Sequence, residues 1–93
     1  FLVQPSVFSY VLDQMRIAKE ETFGPVMQLL KFITLEEAID RSNATAYGLA
    51  AGIVTKKMNT AAIYAQQERA GTVCVNCFFA GSAHVPFGGF KMS

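Results

Sequence analysis

The apolar and polar positions of this 93-residue chain fall into two alternating periods. Val26 to Ile33 (VMQLLKFI) is a nearly continuous apolar run after Gly24-Pro25, the signature of a buried strand. Thr34 stands three residues before Glu37, the spacing of a capping box, and Leu35, Ala38 and Ile39 follow at helical intervals. Glu37 and Arg41 are one turn apart on the outer face, so the pattern predicts a helix over 35–43. Leu49 to Thr55 (LAAGIVT) is the next strand-like run. Asn59 caps a second predicted helix, rich in Ala and Gln, and Gly71 takes the left-handed position past its end. Thr72 to Asn76 is then a third strand. Strand, helix, strand, helix, strand at this spacing implies parallel pairing through right-handed crossovers. The expected fold class is α/β, a partial parallel sheet with covering helices.

The N-terminal third is less regular. Phe1 to Phe8 alternates as a strand, with Pro5 placing it near an edge. Asp13 to Glu21 (DQMRIAKEE) predicts a short helix capped by Asp13, with Met15, Ile17 and Ala18 partly buried, ending at Thr22-Phe23-Gly24-Pro25.

Composition narrows the function. Eight Lys and Arg balance seven Asp and Glu to a net charge of +1, with no basic stripe, so nucleic acid is not an expected partner. No apolar stretch approaches the roughly 18 residues of a membrane span, so no membrane partner is expected. One domain at most fits this length, too little for a core, a cofactor cleft and a lid together. Phe1-Leu2-Val3-Gln4-Pro5 has neither a starting Met nor the pattern of a signal peptide, and the chain reads as a part of something longer, truncated at both ends. Two Cys make no disulfide framework, which points to a reducing compartment.

The charges are unevenly placed. From Ala70 to the end only Lys91 is charged, while Phe78, Phe79, Phe87 and Phe90 all lie there. Such a tail is either a core strand running into a buried loop, the reading we favour, or a contact surface. Its loop from Asn76 to Phe90 follows a strand's carboxyl end, where open parallel sheets bind ligands.

Cys74-Val-Asn-Cys77 has the C-x-x-C spacing, but no helix start follows to activate the first thiol, and residues three apart on a strand face opposite ways. A zinc site would need two further ligands where only His84 is near. The expectation is two reduced, partly buried thiols, and no metal. His84, the only His, lacks a nucleophile elbow before it and an acidic residue after it, so it reads as a loop residue. Pro86 to Phe90 (PFGGF) lacks the G-x-G-x-x-G spacing and reads as a tight turn whose glycines let the backbone pass close to a neighbour. Glu20-Glu21 sits at a predicted helix C-terminus, where the macrodipole disfavours negative charge. That conflict suggests that one of them serves a ligand, such as the two hydroxyls of a ribose.

Three runs carry a family resemblance. Ile17 to Val26 (IAKEETFGPV), Ala70 to Asn76 (AGTVCVN) and Pro86 to Ser93 (PFGGFKMS) resemble, in order and separation, segments of NAD(P)-dependent aldehyde dehydrogenases, and Asn43 to Leu49 and Phe1 to Phe8 also fit. The similarity covers essentially the whole chain and is nearest in flavour to the retinal and mitochondrial enzymes of animals. It implies that residues 1–93 are the C-terminal part of a catalytic domain. Glu21 would hold the nicotinamide-side ribose hydroxyls and Phe23 would pack beside the nicotinamide of NAD or NADP. Phe87, and Gly81 where relatives carry an apolar residue, would line the substrate tunnel. Thr22 replaces a usual aliphatic, Cys74 a common Trp, and glycine at 81 would widen the tunnel, so substrate preference is where the departures fall.

In the family the catalytic Cys, the general-base Glu and the oxyanion Asn lie N-terminal to this region, so no catalytic residue is expected here. The implied chemistry is thiolate attack on an aldehyde, forming a thiohemiacetal, then hydride transfer to NAD(P)+ and thioester hydrolysis to the acid. Implied partners are the aldehyde, the rest of the parent chain and further subunits of a homo-oligomer, in the cytoplasm or, alternatively, the mitochondrial matrix. Two other readings compete: a truncated, non-catalytic product that docks on full-length subunits, and an independent C-x-x-C redox module. An in-frame start codon close to Phe1 would favour the first of these, and an upstream nucleophile-Cys motif the fragment.

Overall fold

The computed structural model describes residues 2–78 and 84–93. Its elements are β1 (Ser6–Phe8), α1 (Arg16–Lys19), β2 (Val26–Gln28), α2 (Leu35–Asn43), β3 (Ala50–Ile53), α3 (Met58–Gln67) and β4 (Thr72–Val75). The chain divides into two compact units, Phe1–Ile33 and Thr34–Ser93.

In the first unit β1 and β2 pair in parallel, with Ser6 opposite Val26 and Phe8 opposite Gln28. The ladder is extended by Ser6 N donating to the Pro25 carbonyl at 2.9 Å and Leu29 N to that of Phe8 at 2.8 Å. Both strands are shorter than their apolar runs: pairing stops at Gln28, and Phe32 and Ile33 project into solvent. Val11 is buried here, its amide bonded to the Leu29 carbonyl. The predicted helix over 13–21 shrinks to a single turn, with Met15 at its N-cap and no side-chain cap bond, so Asp13 is not the cap. Of Met15, Ile17 and Ala18, Ile17 is half-buried and the other two are exposed. A helix this short has no packed face to hold it.

In the second unit β3 and β4 pair in parallel, with Ala50 opposite Thr72 and Ile53 opposite Val75. The parallel α/β expectation holds, but the strands form two separate pairs among the described residues. Helix α2 occupies the predicted span, and the Thr34 hydroxyl accepts from Glu37 N at 3.1 Å. Glu37 and Arg41 pair at 3.2 Å. Thr34→Ala is expected to destabilise this unit by about 1 kcal/mol, the ordinary worth of an N-cap. The check is a lower urea midpoint at unchanged slope.

Helix α3 starts one residue before Asn59. Lys57 occupies the N-cap without a side-chain bond, so Asn59 lies within the first turn. Gly71 is not a left-handed cap either: the helix ends at Gln67, and no described glycine has positive φ. The helices are tied by Asn43, whose side chain accepts from Arg69 N at 2.8 Å and donates to the Gln67 carbonyl at 3.0 Å. The Ser42 hydroxyl donates to Glu68 at 2.6 Å. The small core holds Ile39 of α2, Tyr64 of α3, Ala70, and Cys74 of β4. Burial, and then the Glu68 charge, push the Tyr64 hydroxyl above its ordinary pKa, partly offset by a hydrogen bond from the Gly52 backbone on β3.

Candidate functional site

The carboxylate pair lies between α1 and β2, in the first unit. Glu20 caps the helix turn, its amide donating to the Arg16 carbonyl at 2.9 Å, and its carboxylate meets the Arg16 guanidinium at 2.9 Å. The unfavourable charge at the helix end is thereby answered locally, though by an exposed pair of small energetic worth. Glu21 is beyond the helix, exposed, with no hydrogen-bond or ion-pair partner among the described residues. Phe23 is 92% exposed. A Cβ at Gly24 would meet nothing within 4 Å outside its chain neighbours. An exposed carboxylate is able to accept hydrogen bonds and an exposed aromatic ring is able to stack.

Phe87 belongs to the second unit, where it is exposed but engaged in a side-chain or backbone interaction. Its loop returns to the amino-terminal end of the β3–β4 pair, against the expectation that the whole of Asn76 to Phe90 marks the carboxyl end. Phe90 N donates to the Gly48 carbonyl and Met92 N to that of Ala46, each at 3.0 Å, and the Ser93 hydroxyl accepts from Gly48 N at 2.9 Å. Lys91 reaches the carbonyls of Asn43 at 2.8 Å and Tyr47 at 3.3 Å. Lys91 adopts φ 56°, and Arg69 lies 5.7 Å from the Phe90 ring centre.

The glycines make this seating possible. A Cβ on Gly71 would overlap the Gly88 carbonyl oxygen and stand 2.6 Å from its carbon. At Gly89 a Cβ would come within 2.5 Å of Ser93 Cβ and 3.0 Å of the Gly48 oxygen. The close approach expected for the glycine turn is therefore real at Gly89, while Gly88 has open space and presents its carbonyl to Gly71.

The tail begins as the expected core strand, with Ala70 and Cys74 buried, while Phe78, Phe87 and Phe90 are exposed within this chain. Gly81 and Phe79 lie outside the described residues. His84 is exposed in a turn. Sequence reasoning missed Gly48 and Lys91 as the anchors of the Phe87 loop. The isolation of Lys91 in an otherwise uncharged tail was the available signal.

The thiols also differ from expectation. Cys74 is buried, whereas Cys77 is exposed rather than partly buried. Neither takes part in a disulfide.

The model of the aldehyde dehydrogenase family matches residues 1–93. The chain is 57% identical over its full length to "Aldehyde dehydrogenase, cytosolic 2" of Macroscelides proboscideus and 58% identical to aldehyde dehydrogenase 1A1 of Gallus gallus. It spans 39% of the first and 18% of the second. Among solved structures it is similar to an NAD+ complex of aldehyde dehydrogenase from Bacillus cereus, with a TM-score of 0.94 and 46% identity over 98% of this chain and 18% of that one. An indole-3-acetaldehyde dehydrogenase of P. syringae, in complex with NAD+ and IAA, gives a TM-score of 0.93 at 49% identity, over 96% of this chain and 18% of that one.

Proposed function

Since this chain belongs to the aldehyde dehydrogenase family, we propose that it serves as the cofactor-clamping and tunnel-wall part of an enzyme that oxidises an aldehyde to a carboxylic acid with NAD(P)+. The observation that carries this reading is Glu21, an exposed carboxylate without a partner among the described residues, two positions from the exposed ring of Phe23. Glu21 accepts hydrogen bonds from two adjacent ribose hydroxyls, a task for which a carboxylate has enough lone pairs and no competing donor. Phe23 would offer its face to the nicotinamide and limit where that ring could lie. The group would supply the hydride acceptor for oxidation of the aldehyde.

Phe87 contributes an apolar wall to the substrate tunnel, held in place by the anchoring of residues 88–93 on Gly48 and Asn43. The family resemblance also assigns Gly81 to the tunnel, where a glycine in place of an apolar side chain would leave more room. The nucleophilic Cys, which forms the thiohemiacetal, and the general-base Glu come from the parent chain, N-terminal to residues 1–93. The exposed apolar side chains of Ile33, Phe78 and Phe87 are covered there by the rest of the chain or by a second subunit of a homo-oligomer. A cytosolic location agrees with the names of relatives from Macroscelides and Rattus.

The experiment compares this chain alone with the complete enzyme that carries it, each incubated with NAD+ and a panel of aliphatic and aromatic aldehydes. NADH forms with the complete enzyme and not with the chain alone. Turnover by the purified chain would overturn the division of labour proposed here.

A further inference from the structure

Helix α2 ends at Asn43, and the last carbonyls of a helix have no partner within it. Ala44 N returns to the Arg41 carbonyl at 3.2 Å, and the Asn43 carbonyl is met from 48 residues away by Lys91 Nζ at 2.8 Å. The same ammonium reaches the Tyr47 carbonyl at 3.3 Å, so one charge bridges the helix end and the turn that leads into β3. The helix dipole favours a cation there, and a hydrogen bond from an ionised donor is roughly twice as strong as a neutral one. The backbone of Lys91 is at φ 56°, a conformation that glycine takes freely and other residues rarely. What a lysine supplies at a position suited to glycine is its ammonium.

We propose that Lys91 is a positioning residue for aldehyde selection: its ammonium, fixed on the end of α2, sets where the backbone of residues 88–90 lies and through it where Phe87 stands. The proposal rests on the reading of Phe87 as a wall of the substrate tunnel. The path between the two residues is short and made of backbone. Phe90 N donates to the Gly48 carbonyl at 3.0 Å and Ser93 N to the Phe90 carbonyl at 3.1 Å, so the turn over 90–93 holds as a unit. Ahead of it, Gly89 faces Ser93, the Gly48 carbonyl and Leu49 Cα with no room for a Cβ, and the Gly88 carbonyl sits against Gly71. Backbone packed this closely shifts together rather than by rotation of one side chain, so loss of the ammonium moves Phe87, the next residue along. A displaced apolar wall changes the fit of a bulky aldehyde and leaves that of a small one as it was. Glu21 and Phe23 take no part in this path, so coenzyme binding is unaffected.

The test uses the complete enzyme, with benzaldehyde as the bulky probe and propanal as the small one. Lys91→Met keeps the aliphatic stem and removes the charge. It should raise the KM for benzaldehyde about tenfold, the worth of a small apolar contact in a pocket, with kcat and the KM values for propanal and NAD+ retained. Lys91→Gly, which suits the φ of 56° and likewise lacks the ammonium, should behave as Lys91→Met does. Lys91→Arg, whose guanidinium also donates to carbonyls, should restore most of the selectivity. Thr34→Ala is the structural control, because it weakens the opposite end of α2 without touching Lys91, and it should keep the parent ratio of the two aldehyde KM values. Phe87→Ala should shift that ratio in the same direction as Lys91→Met. A parent ratio in Lys91→Met and Lys91→Gly beside a shifted Phe87→Ala would overturn the positioning role and leave the tunnel wall standing. Parent ratios in all of them would remove Phe87 from the wall and the proposal with it. Equal shifts for Lys91→Met and Thr34→Ala would reduce Lys91 to a stabilising contact and overturn the proposal as well.

Discussion

Glu21→Gln in the complete enzyme is expected to weaken NAD+ handling by about ten- to a hundredfold, read as a higher coenzyme KM, a lower kcat or both. Hydrogen bonds to a charged group contribute about 1.5–3 kcal/mol, and 1.4 kcal/mol is a factor of ten. The amide keeps one oxygen acceptor but replaces the other with a donor, so it cannot receive both hydroxyls of a diol. Stability should change by less than about 0.5 kcal/mol, because Glu21 is an exposed side chain with no partner among the described residues to lose. Glu20→Gln is the internal comparison. Its carboxylate is engaged by Arg16, so coenzyme kinetics should stay as they are. Equal kinetics for all three enzymes would remove Glu21 from the ribose role.

Gly71→Ala should produce the largest loss of stability of any small substitution in the second unit. The added Cβ meets the Gly88 carbonyl group and comes within 3.0 Å of Gly89 Cα, all backbone atoms that no rotamer change can withdraw. Overpacking of this kind costs about 1–3 kcal/mol, more where the backbone cannot give. The loop bearing Phe87 is displaced at the same time, since residues 88–89 and Gly71 share the Gly48 carbonyl region: Gly71 N and Phe90 N both donate to that oxygen at 3.0 Å. Gly88→Ala separates the steric effect from the general consequence of adding a methyl group. A Cβ there meets nothing within 4 Å, and the backbone has no positive φ, so that variant should melt near the parent. Matching thermal midpoints for the two alanine variants would refute the close approach at Gly71.

These two residues illustrate how unevenly the site could be read. Glu21 was legible because its neighbours IAKEETFGPV form a continuous motif and because two carboxylates at a predicted helix end are a local electrostatic conflict. Even so, the reason changed: the helix stops at Lys19, and Glu20 rather than Glu21 bears the end charge. Gly71 was singled out for the wrong property. A glycine after a helix suggests a left-handed cap, whereas here the requirement is room for a carbonyl 17 residues further along the chain. The Asn59 cap failed for a similar reason, since helix entry was decided by where Lys57 and Thr55 sit, with Lys57 N donating to the Thr55 hydroxyl at 3.1 Å.

By itself the sequence determined the parallel α/β character, the span of α2 with its Thr34 cap, the position of β4 and the family. All of these depend on interactions between residues no more than about one turn or one strand apart, or on contiguous motifs, and both leave a periodic or literal trace in the chain. Only the tertiary structure decided that the strands form two separate pairs among the described residues, that the Phe87 loop returns to the amino-terminal end of β3–β4, and that Asn76 turns the chain after β4 against Thr55. Those outcomes hang on contacts between residues far apart in sequence, such as Lys91 with Asn43, Asn76 with Thr55 and Gly71 with Gly88. A contact of that kind depends on where two backbones converge in space, and neither segment carries a pattern that names the other.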